Sequence, residues 1–259
     1  MLSADSEVQY LKFSASGWQT VKARVISEAA VSLNVNGQEW LTFMCTPTHL
    51  EALAVGFLYN ERLIESSAEI ASVRPCQSGE IVDVWLNHSV EKPAQWLRTS
   101  GCSGGFSRVA LAPPSPVSAS ADPISPEHLM QAMGHLLEAQ ELYRLARGIH
   151  CSALSDGRQI VMQVEDIGRH NTLDKLAGMW LLENVRTAPL VVLSTGRISS
   201  EMLQKSARLG TAVVVSRSSP TLRSIELANE LGITLIGYAR RDQLLVYSHP
   251  QHLASYPQA

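Results

Sequence analysis

The chain has 259 residues, 45% of them hydrophobic and 17% charged, with a formal net charge of −3. That balance describes one large or two modest domains with a sizeable core, and the slight acidity argues against general electrostatic binding to nucleic acid. No run of about 18 apolar residues is present to span a membrane, and Met1-Leu2-Ser3-Ala4-Asp5 lacks a basic-then-apolar leader, so a cytoplasmic location is expected.

Residues 8–13, 19–26 and 31–35 read as strands, and Asn36-Gly37 predicts a type I′ hairpin into a strand over 38–45. Thr48 reads as a helix N-cap, with Glu51 completing a capping box ahead of the apolar stripe Leu50, Leu53, Ala54, Phe57 and Leu58. Strands over 70–76 and 81–86 flank Ser78-Gly79. Residues 1–111 therefore read as a smaller α+β domain with antiparallel strands, which also carries the loop of Cys102. Residues 112–125, rich in Pro, Ser and Ala, read as a linker or long loop.

From 126 to 259 the pattern is α/β. Ser125-Pro126-Glu127 opens a helix running to about Ala146, with Pro at its tolerated first position. Strands over 149–154 and 159–164 surround Asp156-Gly157. Helices at 170–183, 199–209 and 221–231 then alternate with strands at 189–194, 211–215 and 233–237. Leu190-Val191-Val192-Leu193 and Ala212-Val213-Val214-Val215 suggest strands buried on both faces of a mostly parallel sheet, closed by an edge strand at 244–247.

Four turns of this second part hold the polar groups. In 165–175, Arg169, His170 and Lys175 lie within reach of one helix N-terminus, which favours an anion. There Gly168 supplies a tight turn, Asn171 or Thr172 a cap, and Asp174 falls in the first helical turn. Residues 194–201 offer Gly196 and Arg197, residues 216–221 offer Ser216, Arg217 and Thr221, and 238–243 read Tyr238-Ala239-Arg240-Arg241-Asp242-Gln243. Taken singly, 194–201 is equally an ordinary strand-to-helix turn capped by Ser199. Together they converge at the end where open α/β sheets bind ligands, and their guanidiniums, aromatic ring and N–H groups suit a purine base with a pyrophosphate. The spacing of a P-loop is absent.

The cysteines Cys45, Cys76, Cys102 and Cys151 stand far apart, with no CxxC pair, so neither a metal site nor a disulfide framework is expected. Cys102 lies in Thr99-Ser100-Gly101-Cys102-Ser103-Gly104-Gly105, where small neighbours leave the sulfur uncrowded and backbone N–H groups favour a thiolate. These residues alone leave a reactive and a structural thiol both open. His150, before Cys151 on a predicted strand, reads as a buried, hydrogen-bonded histidine.

With these residues in view, the chain resembles the formate dehydrogenase accessory sulfurtransferase family (FdhD/NarQ). The resemblance rests on Leu53-Ala54-Val55-Gly56-Phe57-Leu58, Ser100-Gly101-Cys102 and the stretches 165–175, 194–205, 217–221 and 232–240. It implies a cytidine-deaminase-like three-layer α/β domain behind the smaller N-terminal domain. It also implies a sulfur relay, in which a cysteine desulfurase loads a persulfide onto Cys102. That sulfur then passes to the molybdenum bis(molybdopterin guanine dinucleotide) cofactor of formate dehydrogenase, held through its guanine and phosphates. Residues 238–243 match the family's cofactor-binding segment, and a homodimer is implied. Many members carry a second cysteine three residues after the first, where this chain has Gly105. Either Cys102 acts alone, or another thiol such as Cys151 assists, or the protein is a non-catalytic chaperone of the cofactor or of apo-formate dehydrogenase. A deaminase is not expected: Ser152 replaces the Glu of the H-x-E signature, and no P-C-x-x-C pair exists.

Overall fold

The computed structural model describes residues 2–93, 96–99, 102–107, 123–183 and 191–256, with 96–99 and 102–107 described by their backbone. The chain opens with a two-stranded ribbon, β1 (Asp5–Ser14) and β2 (Gly17–Ile26), paired antiparallel. A four-stranded sheet follows in the order β4-β3-β6-β5, from β3 (Ala29–Val35), β4 (Gln38–Cys45), β5 (Ile70–Pro75) and β6 (Ile81–Leu86). Asn36 and Gly37 both take positive φ (50° and 80°), as the expected hairpin turn demands. Backbone pairing joins β7 (Trp96–Thr99) to β8 (Cys102–Ser107), and β8 runs beside β4.

Helix α1 (Leu50–Asn60) is buried along its length, because one side packs on the four-stranded sheet and the other on α4 (Arg169–Leu182). The helices meet at two glycines. A Cβ on Gly56 would stand 1.7 Å from the Asp174 carbonyl oxygen, and one on Gly178 would stand 1.9 Å from that of Ala52.

The second sheet has six strands in the order β10-β9-β11-β12-β13-β14: β9 (His150–Ser155), β10 (Ile160–Asp166), β11 (Val191–Ser194), β12 (Val213–Ser216), β13 (Thr234–Gly237) and β14 (Leu245–Val246). β11, β12 and β13 are mutually parallel, while β9 and the edge strand β14 run against their neighbours. Helix α2 (Pro126–Ala139) covers one face through Leu129, Met133 and Leu136 against Cys151, Leu193 and Val215. Helices α4, α5 (Ser200–Arg208) and α6 (Leu222–Leu231) cover the other, giving the three-layer α/β arrangement. That second core continues through α1 into the four-stranded sheet, so Leu33, Phe57, Leu176 and Val214 belong to one apolar cluster.

The four-stranded sheet is not wholly antiparallel, as the strands of 1–111 were expected to be: β3 and β6 pair parallel, because α1 and β5 intervene and return the chain in the same direction. Three local readings change as well. The helix expected over 126–146 breaks at Gln140 into α2 and α3 (Glu141–Ala146), because the Glu165 carboxylate accepts from the Leu142 and Tyr143 N–H groups (both 2.9 Å) and starts a new helix. Thr48 does not cap α1. His49 takes the N-cap position with a φ of 50°, and the Thr48 hydroxyl accepts instead from Lys175 Nζ (3.1 Å). At α4 the cap position is Gly168, and neither Asn171 nor Thr172 caps it. Asp166 Oδ1 accepts from the Gly168 N–H (2.7 Å) and from Asn171 Nδ2 (2.9 Å), which displaces Asp174 to the second turn.

Candidate functional site

The strand register gathers the polar turns at one end of the six-stranded sheet. Asp166, the last residue of β10, lies opposite His150, the first of β9, while Ser194 ends β11 opposite both Ser152 and Ser216. The segments following β10, β11, β12 and β13 therefore leave the sheet side by side. Hydrogen bonds lock them together. Ser216 Oγ donates to the Gly196 carbonyl (2.6 Å) and accepts from the Ser218 N–H (2.9 Å), and the Arg217 N–H donates to Ser194 O (2.9 Å). The Tyr238 and Ala239 N–H groups reach Ser218 O and Ser216 O (2.9 Å each), and Arg240 Nη1 donates to Arg217 O (2.6 Å). Ser199 and Thr221 cap α5 and α6.

A cavity of about 470 Å³ opens between these turns and α2, within the usual size of small-molecule sites. One wall is apolar and polarisable, from Met130, Met133 and Leu137. The opposite wall carries Arg217, Ala239, Arg240, Arg241 and Asp242, with Glu138 on the α2 side. Arg217 Nη1 is buried with no hydrogen-bond partner among the described residues. A charged donor left unmatched is costly, and an anion at this wall would relieve that cost. Tyr238 is left-handed (φ 50°), a conformation unfavourable for a bulky side chain, and the residue is 39% exposed. Gln243 is exposed, and its carbonyl accepts from the Arg240 N–H (2.9 Å).

A second cationic group lies toward α4, at the same end of the sheet. A side chain on Gly196 would press on Arg169 Cβ (3.0 Å) and His150 Nδ1 (3.4 Å), so its glycine allows the backbone to lie against both. His150 is half-buried, and burial together with the Arg169 charge holds it below its ordinary pKa. Arg197 is exposed nearby. His170 is turned inward: its Nε2 lies 3.0 Å from Glu201, and burial lowers its pKa against the opposing pull of that carboxylate. Lys175 is fully enclosed and paired with Asp166 (2.6 Å), so it supports the turn from beneath. His150, expected as a buried histidine, is instead half-buried beside Arg169, and the α2 wall was missed from the sequence. The one local signal for His150 was its place at the start of a strand.

Cys102 begins β8, opposite Thr99; Ser100 and Gly101 lie outside the described residues, as do residues 112–122 of the linker. The strand beside β8 ends against the α4 turn, where Asn171 Nδ2 donates to Met44 O (2.9 Å). The other thiols differ sharply. Cys45 and Cys151 are fully buried, and burial raises Cys45 to about 12 and Cys151 further. The expectation that Cys151 supplies a second thiol is therefore not met, because its sulfur is enclosed under α2. Cys76 sits in the β5–β6 turn, where hydrogen bonds from the Ser78 hydroxyl (3.1 Å) and the Ile81 N–H (3.3 Å) lower it to about 7.

Comparison with known proteins agrees with this architecture. The model of the FdhD/NarQ family matches residues 26–254. A protein from Staphylococcus haemolyticus (strain JCSC1435) named sulfur carrier protein FdhD is 37% identical over 236 residues, covering 88% of this chain and 89% of that one. A protein of the same name from Staphylococcus aureus (strain MRSA252) is 35% identical over 234 residues, with 88% of each chain covered. The crystal structure of a protein from Desulfotalea psychrophila, described as a formate dehydrogenase accessory protein, superposes with a TM-score of 0.82 at 25% identity. That match covers 96% of this chain and 99% of the other.

Proposed function

The chain belongs to the FdhD/NarQ family, and on that premise we propose that it is a sulfur carrier serving a formate dehydrogenase. Its donor is a cysteine desulfurase, and its target is the enzyme's molybdenum bis(molybdopterin guanine dinucleotide) cofactor, bound as cargo. The observation that carries the cofactor part is the cavity where Arg217, Arg240 and Arg241 face an apolar methionine wall. Guanidiniums suit the phosphates, and a flat base suits the sulfur-rich wall. Ala239 and Asp242 line the same wall, and Tyr238 and Gln243 flank it in sequence. Arg169, Gly196, Arg197, Ser216 and Thr221 stand in the neighbouring turns at the same end of the sheet, while His170 and Lys175 act through the groups they hold.

Cys102 is the carrier. Its thiolate attacks the terminal sulfur of the donor's persulfide, the donor's S–S bond breaks, and the donor cysteine leaves as a thiolate. With Gly105 in place of a second cysteine and Cys151 enclosed, release of that sulfur depends on a thiol or reductant from outside this loop. The same observation favours the second reading, a chaperone that binds the cofactor or apo-formate dehydrogenase without carrying sulfur. Mass spectrometry after incubation with a desulfurase and cysteine separates them. The carrier gains one sulfur atom on Cys102, and Cys102→Ala loses both the label and activation of the dehydrogenase. Full activation by Cys102→Ala would leave the chaperone. The cavity is tested by titration with GDP, whose affinity Arg240→Ala lowers.

Homodimerisation and a cytoplasmic location belong to this same proposal. No helix among the described residues is long and apolar enough to cross a membrane.

A further inference from the structure

We propose that Glu138, on the last turn of α2, selects guanine over adenine in the cavity; this rests on the reading of that cavity as the guanine nucleotide site. Among the ten described residues around the cavity, two are carboxylates, Glu138 and Asp242. Guanine presents two adjacent donors, N1–H and the 2-amino group, which one carboxylate accepts as a fork. Adenine presents an acceptor at N1 and no amino group at C2, so the same carboxylate repels it.

Glu138 is the better placed of the two. It follows Leu137 on the helix that supplies the apolar wall, so a base lying against Met130, Met133 and Leu137 meets this side chain at its edge. Its backbone is held, and its side chain has one neighbour across the cavity. The Glu138 carbonyl accepts from Arg144 Nη1 (2.9 Å), tying the end of α2 to α3, and its Oε1 lies 3.5 Å from Arg241 Nη2 on the opposite lip. The Glu138 side chain is 68% exposed and retains a second oxygen beyond the Arg241 contact, so a base can be accepted without breaking a buried bond. Asp242 is exposed as well, but it lies on a turn rather than a helix. A site on a helix holds its geometry more closely than one on a turn.

The test is calorimetric titration of the full chain with GDP, IDP and ADP, in the unaltered protein and in Glu138→Gln, Asp242→Asn and Arg240→Ala. IDP lacks the 2-amino group, so its comparison with GDP reads the fork directly. The unaltered protein is expected to prefer GDP over both other nucleotides by roughly tenfold or more. Glu138→Gln collapses the GDP-to-IDP preference toward unity, whereas Asp242→Asn keeps it. A preference unchanged in Glu138→Gln, or lost only in Asp242→Asn, overturns the assignment while leaving the cavity reading intact. Absence of GDP binding by the unaltered protein, or an unaltered affinity in Arg240→Ala, removes the cavity reading and the selectivity with it. The Glu138→Gln exchange is isosteric and exposed, so the fold is not at risk.

Discussion

Lys175 Nζ lies 2.6 Å from Asp166 Oδ2, with both side chains fully enclosed. The lysine's remaining hydrogens reach the Thr46 carbonyl (2.9 Å) and the Thr48 hydroxyl (3.1 Å). Asp166 also accepts from the N–H groups of Thr46 (3.2 Å) and Gly168 (2.7 Å) and from the Asn171 amide (2.9 Å). Every hydrogen and both oxygens are used, which a buried charge pair needs to offset its desolvation. The pair thereby ties the end of β4 to the turn that presents Arg169.

Removing only the cation should therefore be severe. Lys175→Met leaves an uncompensated carboxylate and is expected to lower unfolding free energy by about 3–5 kcal/mol. The double variant with Asp166→Leu should lose less than the sum of the singles, as groups in one network do. Chemical denaturation midpoints check this, and an unshifted midpoint in Lys175→Met would show that the pair does not hold the turn.

The crossing of α1 and α4 predicts a steep response to one methyl group. Gly56→Ala and Gly178→Ala each drive a Cβ into backbone at under 2 Å, so the helices must separate. The loss should reach or exceed the ~3 kcal/mol upper end usual for overpacking. Gly134→Ala meets nothing within 4 Å on α2 and should gain about 0.5–1 kcal/mol from helix propensity. Equal thermal midpoints for all three would contradict the close crossing.

Stability should fall as pH drops below the ordinary histidine value. Burial lowers His150, His170 and His49 from 6.5, assisted by Arg169 at His150 and by Lys175 at His49. Below that value the unfolded chain takes up protons that the fold resists, so the stabilisation is complete above about 6.5 and drains away beneath it. The lowered carboxyls of Asp156 and Glu69 start from 3.8 and 4.5, so they contribute only at lower pH. Thermal midpoints at pH 7.5 and 5.5 should differ, with the acidic one lower, and His170→Gln should flatten the slope. A midpoint that is flat or rises toward pH 5.5 would count against this.

The described thiols should divide cleanly under alkylation. Iodoacetamide near neutral pH is expected to label Cys76, whose thiolate the Ser78 hydroxyl and backbone N–H groups favour, and to spare enclosed Cys45 and Cys151 in the folded protein. Peptide mass spectrometry reads the sites directly. Labelling of Cys151 at the rate of Cys76 would mean that the α2 layer opens readily. Persulfide assays on Cys102 gain from a Cys76→Ser background for the same reason.

Much of the architecture was legible in local pattern, because side-chain alternation and turn chemistry act over a few residues. The Val-rich runs of β11 and β12, the Asn36-Gly37 hairpin and the cap at Ser199 needed no distant partner. The motifs 165–175, 194–201, 216–221 and 238–243 could be grouped because parallel strands release their turns at one end. Where a distant group competed, local rules failed. Glu165 broke a long helix into α2 and α3, Asp166 replaced the α4 cap, and Lys175 drew Thr48 away from α1. The sequence alone determined which segments fold and which turns carry charge. Only the tertiary structure decided that α2 walls the cavity, that His150 faces Gly196 and that Lys175 turns inward, since burial and pairing are set by chain segments far apart in sequence.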